Sequence, residues 1–453
     1  LSRIIPDPVP TDRTLPQKVD VVVIGGGIAG VATTLFLAEK GVSVALCEKG
    51  LIAGEQSTRN WGWVRQMGRD PLELPLAIES LTLWRTMNAR IGEETGFRQR
   101  GITYLCDTRR DVAHYEEWLG HARTYQLDSR LVAPKDLPGL LPGITEGRFL
   151  AGLHTATDGC AEPTRAAPAM ARAAARLGAH VLTSCAVRSL ETEAGRVSGV
   201  VTEHGPIRCA SVVLAGGAWS RLFAGNLGID FPQLKILGTT ARIDGVSGTV
   251  PDMPVGGGTF AARPRLDGGY TATMRNANIA PITPDSFRLF ADFAPTLVKS
   301  WHELTLRVNG RFFEEWRTPK RWAADEVSPF ERVRILDPQP HDRFNSDGLK
   351  HLARAFPGFA GARITHSWAG LVDATPDAVP VIGPVGSIPG FYIASGFSGH
   401  GFGIGPGAGK LMAEIVTGSP TCVDARPFRL DRFRRSARTA HVEHTPGTRL
   451  AHQ

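Results

Sequence analysis

A chain of 453 residues with 42% hydrophobic side chains is long enough for two domains with their own cores, and no apolar run approaches the length of a membrane span. Its 51 basic and 44 acidic side chains leave a formal charge of +7, too modest to argue for nucleic acid but compatible with a positive cleft for an anionic cofactor or substrate. The six cysteines show no C-x-x-C spacing, which disfavours zinc and iron–sulfur readings, predicts no metal site and fits a reducing, cytoplasmic setting.

Residues 1–17 are polar, carry four prolines and read as a surface arm without the pattern of a signal peptide. Val19 to Ile24 then reads as a buried parallel strand, broken by Asp20. Gly25, Gly27 and Gly30 follow in G-x-G-x-x-G spacing, a helical pattern runs from Ile28 through Ala29 to about Lys40, and Val42 to Cys47 reads as a second strand ending at Glu48. Each part has a task in holding a dinucleotide. Gly25 permits the turn, Gly27 lets backbone approach a pyrophosphate, and Gly30 lets helix and strand pack. The helix start offers free N–H groups and the positive end of its dipole, and Glu48 can accept from ribose hydroxyls.

Lys49 to Met67 mixes small and polar residues with two tryptophans and predicts an ordered loop along a flat cofactor. Ser57, Thr58, Arg59 and Asn60 are candidates to bond phosphates or ring heteroatoms, Trp61 and Trp63 to wall a pocket, and Arg65 to meet an anion. Helices are expected over Leu72–Ile91, Asp111–Gln126 and Pro163–Leu177, and strands over Gly101–Cys106 and Gly178–Leu182. Val187–Val201 and Arg208–Leu214 continue the sheet signals, with Gly195 and Gly205 at hairpin turns. The second of these runs through Ala215 into Gly216, Gly217 and Ala218, a further backbone approach to the cofactor, with Trp219 beginning the next segment.

From Pro232 to Asp347 the composition turns to aromatics and arginine. Strands are expected at Leu234–Ile243, Gly268–Thr273 and Phe287–Phe290, and a helix at Phe293–Val308 with Trp301 and Leu304 on its core face. The first style then returns with a short helix at Gly348–Phe356, a strand leading to Gly370 and Leu371, and a strand at Phe391–Ala394. Six glycines between Gly396 and Gly407 make the backbone itself a ligand surface, with a helix expected to open at Gly407. The residues after Cys422 hold seven arginines and read as a polar extension.

Four segments, DVVVIGGGIAGVATTLFLAEKGVSVALCEKG, VVLAGGAWS, TPDAVPVIG and FYIASGFSGHGFGIGPGAGKLMAE, together resemble the FAD-dependent amine and amino-acid oxidoreductases of the D-amino-acid oxidase superfamily. The branch is that of glycine oxidase, sarcosine oxidase and bacterial D-amino-acid dehydrogenases. The resemblance implies an α/β fold: a Rossmann-like, glutathione-reductase-like FAD domain over residues 1–97, 154–232 and 348–425. A discontinuous α+β substrate cap on an antiparallel or mixed sheet would take 98–153 and 233–347, leaving 426–453 as a C-terminal extension. It also implies that Gly399, His400, Gly401, Phe402 and Gly403 lie near the flavin's pyrimidine side, and that Lys49, Val187 and Gly370 contribute to the cofactor site.

One position departs from the family pattern. Relatives often carry an arginine after the Gly-Leu pair, in a form like GLRPxTPD, which pairs with a substrate carboxylate. Here Val372 and Asp373 follow Gly370 and Leu371. Either another arginine (Arg65, Arg263, Arg307 or Arg311) replaces it, or the substrate is N-substituted or opine-like and Asp373 pairs with a cation, or Asp373 serves a turn. No cysteine lies between Cys209 and Cys422, so FAD is expected to be bound non-covalently.

The implied reaction is oxidation of a C–N bond to an imine by hydride transfer to flavin N5, followed by hydrolysis, with O2 or another acceptor taking the electrons. His400 and the start of the late helix are expected to stabilise charge on the reduced ring. The expected partners are a small amine or amino acid, with the chain a monomer or homodimer. Two other readings share the fingerprint: an NAD(P)H-using flavoprotein monooxygenase, which the late FSGHGFGIGPG segment disfavours, and a non-catalytic flavin-binding subunit.

Overall fold

The computed structural model describes residues 4–300 and 304–433. Two sheets organise them. The first has six strands in the order Val381–Pro384, Phe391–Ser395, Ser211–Leu214, Val21–Ile24, Val44–Cys47 and His180–Leu182. All neighbours are parallel except the edge strand Val381–Pro384. The four central strands are almost wholly buried, which explains why they read as continuous apolar runs rather than alternating ones. A separate three-stranded antiparallel sheet, Val187–Glu193, Arg196–Thr202 and Gly205–Arg208, turns at the glycines expected for it.

Helix Ile28–Glu39 packs against both Ala166–Arg176 and the late helix Gly401–Thr417. The last contact is close. A Cβ on Gly405 would lie 2.7 Å from the Ile28 side chain, and one on Gly409 would lie 2.5 Å from Ala32 Cβ. Much of the glycine run is therefore helix-packing surface and not ligand surface. The late helix also begins at Gly401, six residues before the expected Gly407. Pro406 explains the misreading, since a proline inside a helix removes one bond of the ladder and crowds another. The damage is repaired from outside. Ser80 Oγ and Trp84 Nε1 both donate to the Gly403 carbonyl, and Gly407 N donates to Ser80 Oγ.

The second sheet has ten strands and is mixed. Its longest pairing joins Leu234–Asp244 to Arg363–Ala374, antiparallel over most of both strands. The strand Arg363–Ala374, expected to lie on the FAD side of a boundary at 348, is therefore a member of this second sheet. Helix Asp342–Ala355 packs on the second sheet, and the strand after it belongs to that sheet. The chain rejoins the first sheet only at Val381.

Two local expectations fail. Phe287–Phe290 is not a strand but straddles the helices Pro284–Arg288 and Phe290–Ser300. Pro284 sits in the first turn and Ser286 Oγ accepts the Thr283 N–H, a helix start that outweighs the aromatic run. The expected helix to Val308 stops at Ser300, and Leu304–Arg307 pairs as a strand with Asn278–Pro281. Trp301 lies outside the described residues, as does the C-terminal extension from residue 434 onward.

Candidate active site

Two cavities meet at the carboxyl edge of the parallel sheet. One of about 770 Å³ runs under the end of the first strand, and one of about 1450 Å³ lies between the two sheets. Gly27, Gln56, Ser57, Ala215 and Gly217 line both, so the two share a wall.

The smaller cavity is built largely from backbone. Gly25 adopts φ +107°, and a Cβ there would come within 2.4 Å of the Ala215 carbonyl. The helix N-terminus at Gly27 and Ile28 faces this junction, and Ser57 Oγ accepts the Ile28 N–H at 2.8 Å. The next amides of the first turn have no partner within the helix. Glu48 accepts Gly26 N and Gly50 N, each at 2.7 Å, one on each oxygen. Burial pushes its carboxyl above the usual range, against the pull of Lys49 and those two amides. Each oxygen keeps a lone pair for a further donor. Lys49, Val187, Gly216 and Trp219 line the same cavity. Lys49 Nζ is committed to Glu55 at 2.6 Å and to the Val333 and Arg334 carbonyls, and stands 4.6 Å from the Trp219 ring centre.

The larger cavity gathers Ile28, Ala29, Asn60, Trp61, Gly370, Asp373 and the Gly399–Gly403 loop. Two sequence candidates, Gly30 and Thr58, line neither cavity. A Cβ on Gly30 would lie 2.0 Å from the Gly25 carbonyl, so its role is contact between helix and turn. Thr58 Oγ1 is bonded to the Glu55 carbonyl. Arg59 lines the cavity but spends its guanidinium elsewhere, on Asp337 at 2.7 Å and on the Leu336, Ala369 and Gly54 carbonyls. Asn60 is likewise held by the Ser57 carbonyl and the Gly62 amide. Asp373 is buried, and its Oδ2 accepts Gly396 N at 2.7 Å, Ser395 Oγ and Gln233 Nε2. Burial pushes this carboxyl up to about 6. Its bonds brace the turn that leads into the Gly399–Gly403 loop.

The charged side of the cavity comes from a segment the sequence pointed to in part. Arg65 and Arg69 are both buried and both line it. Arg65 stacks on Tyr104 at 5.5 Å, and Arg275 covers the same ring at 4.2 Å. Arg69 Nη1 is buried and makes no hydrogen bond. Burial, and then the Arg65 charge, lower the Arg69 guanidinium to about 9, which leaves it protonated at neutral pH. His400 Nδ1 lies 2.8 Å from Glu73 Oε2, and Glu73 is fully buried. Burial drives His400 down to about 4 despite Glu73. Burial also opposes charge on Glu73, yet His400, Arg69 and Arg65 hold it below the usual range. A charged and a neutral imidazole cannot both hold. Burial is the largest influence on His400 and favours the neutral imidazole.

Of the other arginines proposed to replace the missing one, Arg263 is buried in a bidentate pair with Glu162 at 2.9 Å, and Arg311 pairs with Glu315. Arg307 stands on the exposed end of its strand. Arg69, Tyr104 and Gln56 were not foreseen, whereas Gly217 lines both cavities as the sequence suggested. The Arg65–Arg69 pair flanking Gly68 was a readable signal, whereas Tyr104 arrives from a distant strand with nothing local to mark it.

Comparison with known proteins places this architecture. The family model described as FAD dependent oxidoreductase matches residues 20–415. The chain belongs to that family. The L-amino acid deaminase from Proteus myxofaciens, solved in complex with anthranilate, superposes with a TM-score of 0.91 at 34% identity, covering 96% of this chain and 97% of that one. Sarcosine oxidase subunit beta from Arthrobacter sp is 25% identical over 92% of this chain and 92% of its own length. Human mitochondrial sarcosine dehydrogenase is 24% identical over 94% of this chain, which spans 42% of that longer protein.

FAD is the family's cofactor, and the residues present fit it. The glycine turn that admits no Cβ, the helix start beyond Ser57 and the free lone pairs of Glu48 suit the adenosine and pyrophosphate half. The shared wall then leads toward the larger cavity, where Gly399–Gly403 and the start of the late helix would face the flavin ring. No helix among the described residues is long and apolar enough to cross a membrane, and all six cysteines are free.

Proposed function

We propose that the chain oxidises the C–N bond of an amino acid, or of a small secondary amine bearing a carboxylate, to an imine that water then hydrolyses. The observation that carries this reading is Arg69, a buried guanidinium with an uncommitted Nη1, beside Arg65 in the cavity that also holds the flavin-side loop. A buried guanidinium with a donor left unbonded is costly, and an anionic ligand offsets that cost. These two arginines would take over the task of the arginine that relatives carry after Gly-Leu. FAD, when bound, supplies the two-electron acceptor.

The chain's own residues orient the substrate and keep water out. Arg65 and Arg69 would fix one end of the amine, so that its α carbon is presented at one place in the cavity. Trp61, Trp63 and Tyr104 supply the apolar wall. His400 is neutral, with Nδ1 turned to Glu73, and does not compete with the substrate as a cation. Asp373 reads best as the brace of the turn, since its bonds run to the backbone and side chains around it.

The test is anaerobic mixing of the holoenzyme with α-amino acids, N-alkyl amino acids and amines lacking a carboxylate, read as bleaching of the flavin absorbance. Carboxylated amines should bleach it. Bleaching by NAD(P)H alone, or by carboxylate-free amines in preference, would sink the reading. The relatives named above act on sarcosine and amino acids according to their names, which supports the substrate class but does not choose among its members.

A further inference from the structure

We propose that Asp158 is a positioning residue for substrate binding: its carboxylate holds the 65–69 loop in the conformation that turns both Arg65 and Arg69 into the cavity. This rests on the carboxylate-binding reading above and deepens it.

Asp158 is fully buried and touches neither cavity. Its Oδ1 accepts Gln66 N at 2.9 Å and its Oδ2 accepts Met67 N at 3.2 Å, the two amides that directly follow Arg65. The register of the chain puts it there. Trp63–Val64 pairs antiparallel with Gly159–Cys160, Val64 opposite Gly159, so the residue before Gly159 faces the residues after Val64. Asp158 is itself anchored, since its carbonyl accepts Gly101 N at 2.9 Å. The neighbouring Thr157 Oγ1 accepts Gln66 Nε2 at 3.0 Å, and Asp128 in turn accepts the Thr157 N–H and hydroxyl. On the far side, Trp118 Nε1 donates to the Arg69 carbonyl at 2.9 Å. The loop bearing both arginines is thus gripped at its backbone from two directions. The grip from Asp158 depends on charge, because a protonated carboxyl gives up an acceptor position to its own O–H.

The charged groups around Asp158 are Arg65 and Arg69 from the loop and Asp128 from the turn before Arg130–Val132, while Arg85 on helix Leu74–Ile91 bonds the Thr157 carbonyl. Burial pushes the Asp158 carboxyl up to about 7, against the two amides and Arg65, with Asp128 adding to the rise. Below that pH the group is neutral and its two amide bonds lose their charge assistance, which loosens the grip on the loop. Affinity for a carboxylate ligand should therefore be full above pH 7 and fall as pH drops through it.

The experiment compares the wild-type holoenzyme with Asp158→Asn. The first readout is the dissociation constant of anthranilate, taken from perturbation of the flavin spectrum between pH 5.5 and 8.5; the second is kcat and KM for the best carboxylated amine. At pH 8 the variant should bind anthranilate about ten-fold more weakly and show a KM raised by a similar factor, the scale of one lost charge-assisted contact. Its kcat should stay within about three-fold and its FAD content should be unchanged. Wild-type affinity should weaken as pH falls through 7, and the variant should lack that step. Wild-type affinity and an unchanged pH profile in the variant would overturn the proposal. If Asp158→Asn does not fold, Thr157→Val serves instead, removing the Gln66 Nε2 acceptor, and the wild-type profile alone still decides: constancy from pH 8 to 6 overturns the idea. Failure of the wild-type protein to bind any carboxylate would overturn both this proposal and the reading beneath it, whereas binding that is indifferent to Asp158 overturns the proposal alone.

Discussion

The two cavities are made in different ways. The smaller is built around backbone, a turn and a helix start, with the carboxylates of Glu48 and Glu55 beside it, drawn mostly from neighbours in sequence. The larger is formed by side chains that arrive from distant parts of the chain, with Arg65 and Tyr104 from its early part meeting Asp373 and His400 from its late part. Substitutions in the first region should act through shape and those in the second through charge.

The sharpest break is Gly25→Ala. It forces an alanine to φ +107° and drives its Cβ into the Ala215 carbonyl, costing about 3 kcal/mol or more. Purified protein should lack flavin by its visible absorbance and melt lower. Next comes a contrast between buried arginines. Arg263→Ala leaves Glu162 charged and unpaired, so stability should drop by about 3–5 kcal/mol in urea unfolding with KM little changed. Arg69→Met should do the reverse: KM for a carboxylated amine should rise about 100-fold, as for loss of a buried charged contact, while the melting temperature holds or climbs. A fall in stability without a KM effect would mark Arg69 as structural and blur the contrast between the regions. Glu48→Gln should weaken FAD binding about ten-fold, because one of its two amide acceptors becomes a donor; fluorescence titration of the apoprotein reads this. The smallest effect belongs to Arg311→Ala. Glu315 is buried but keeps its ion pair with Lys235 when Arg311 is removed, so the loss should be about 1 kcal/mol, and kcat/KM should not move.

The same contrast governs what was legible in the sequence. The fingerprint turn could be read because its strand, glycines, helix and acid lie within one short stretch. Arg59 could not be read. It stands where a phosphate ligand is expected, yet its partners are Asp337, Leu336 and Ala369, brought in from far along the chain. The strand Arg363–Ala374 was recognisable as a strand, but its allegiance to the second sheet depends on pairing with Leu234–Asp244, which no local pattern encodes. Pro406 concealed the true start of the late helix, because the side chains that repair it, Ser80 and Trp84, sit on another helix. Arg69 was the nearest miss, four residues beyond an arginine already singled out.

The close seat of Gly405 and Gly409 on Ile28 and Ala32 has a bearing on biogenesis. The helix that would receive the pyrophosphate, Ile28–Glu39, leaves the ribosome long before Gly401–Thr417, the helix that buttresses it. Until then the nascent N-terminal half carries an apolar face with nothing against it. Completion of the nucleotide-side helix packing thus waits on a long-range contact, and a chain in which that contact is unmade exposes apolar surface of the kind chaperones bind.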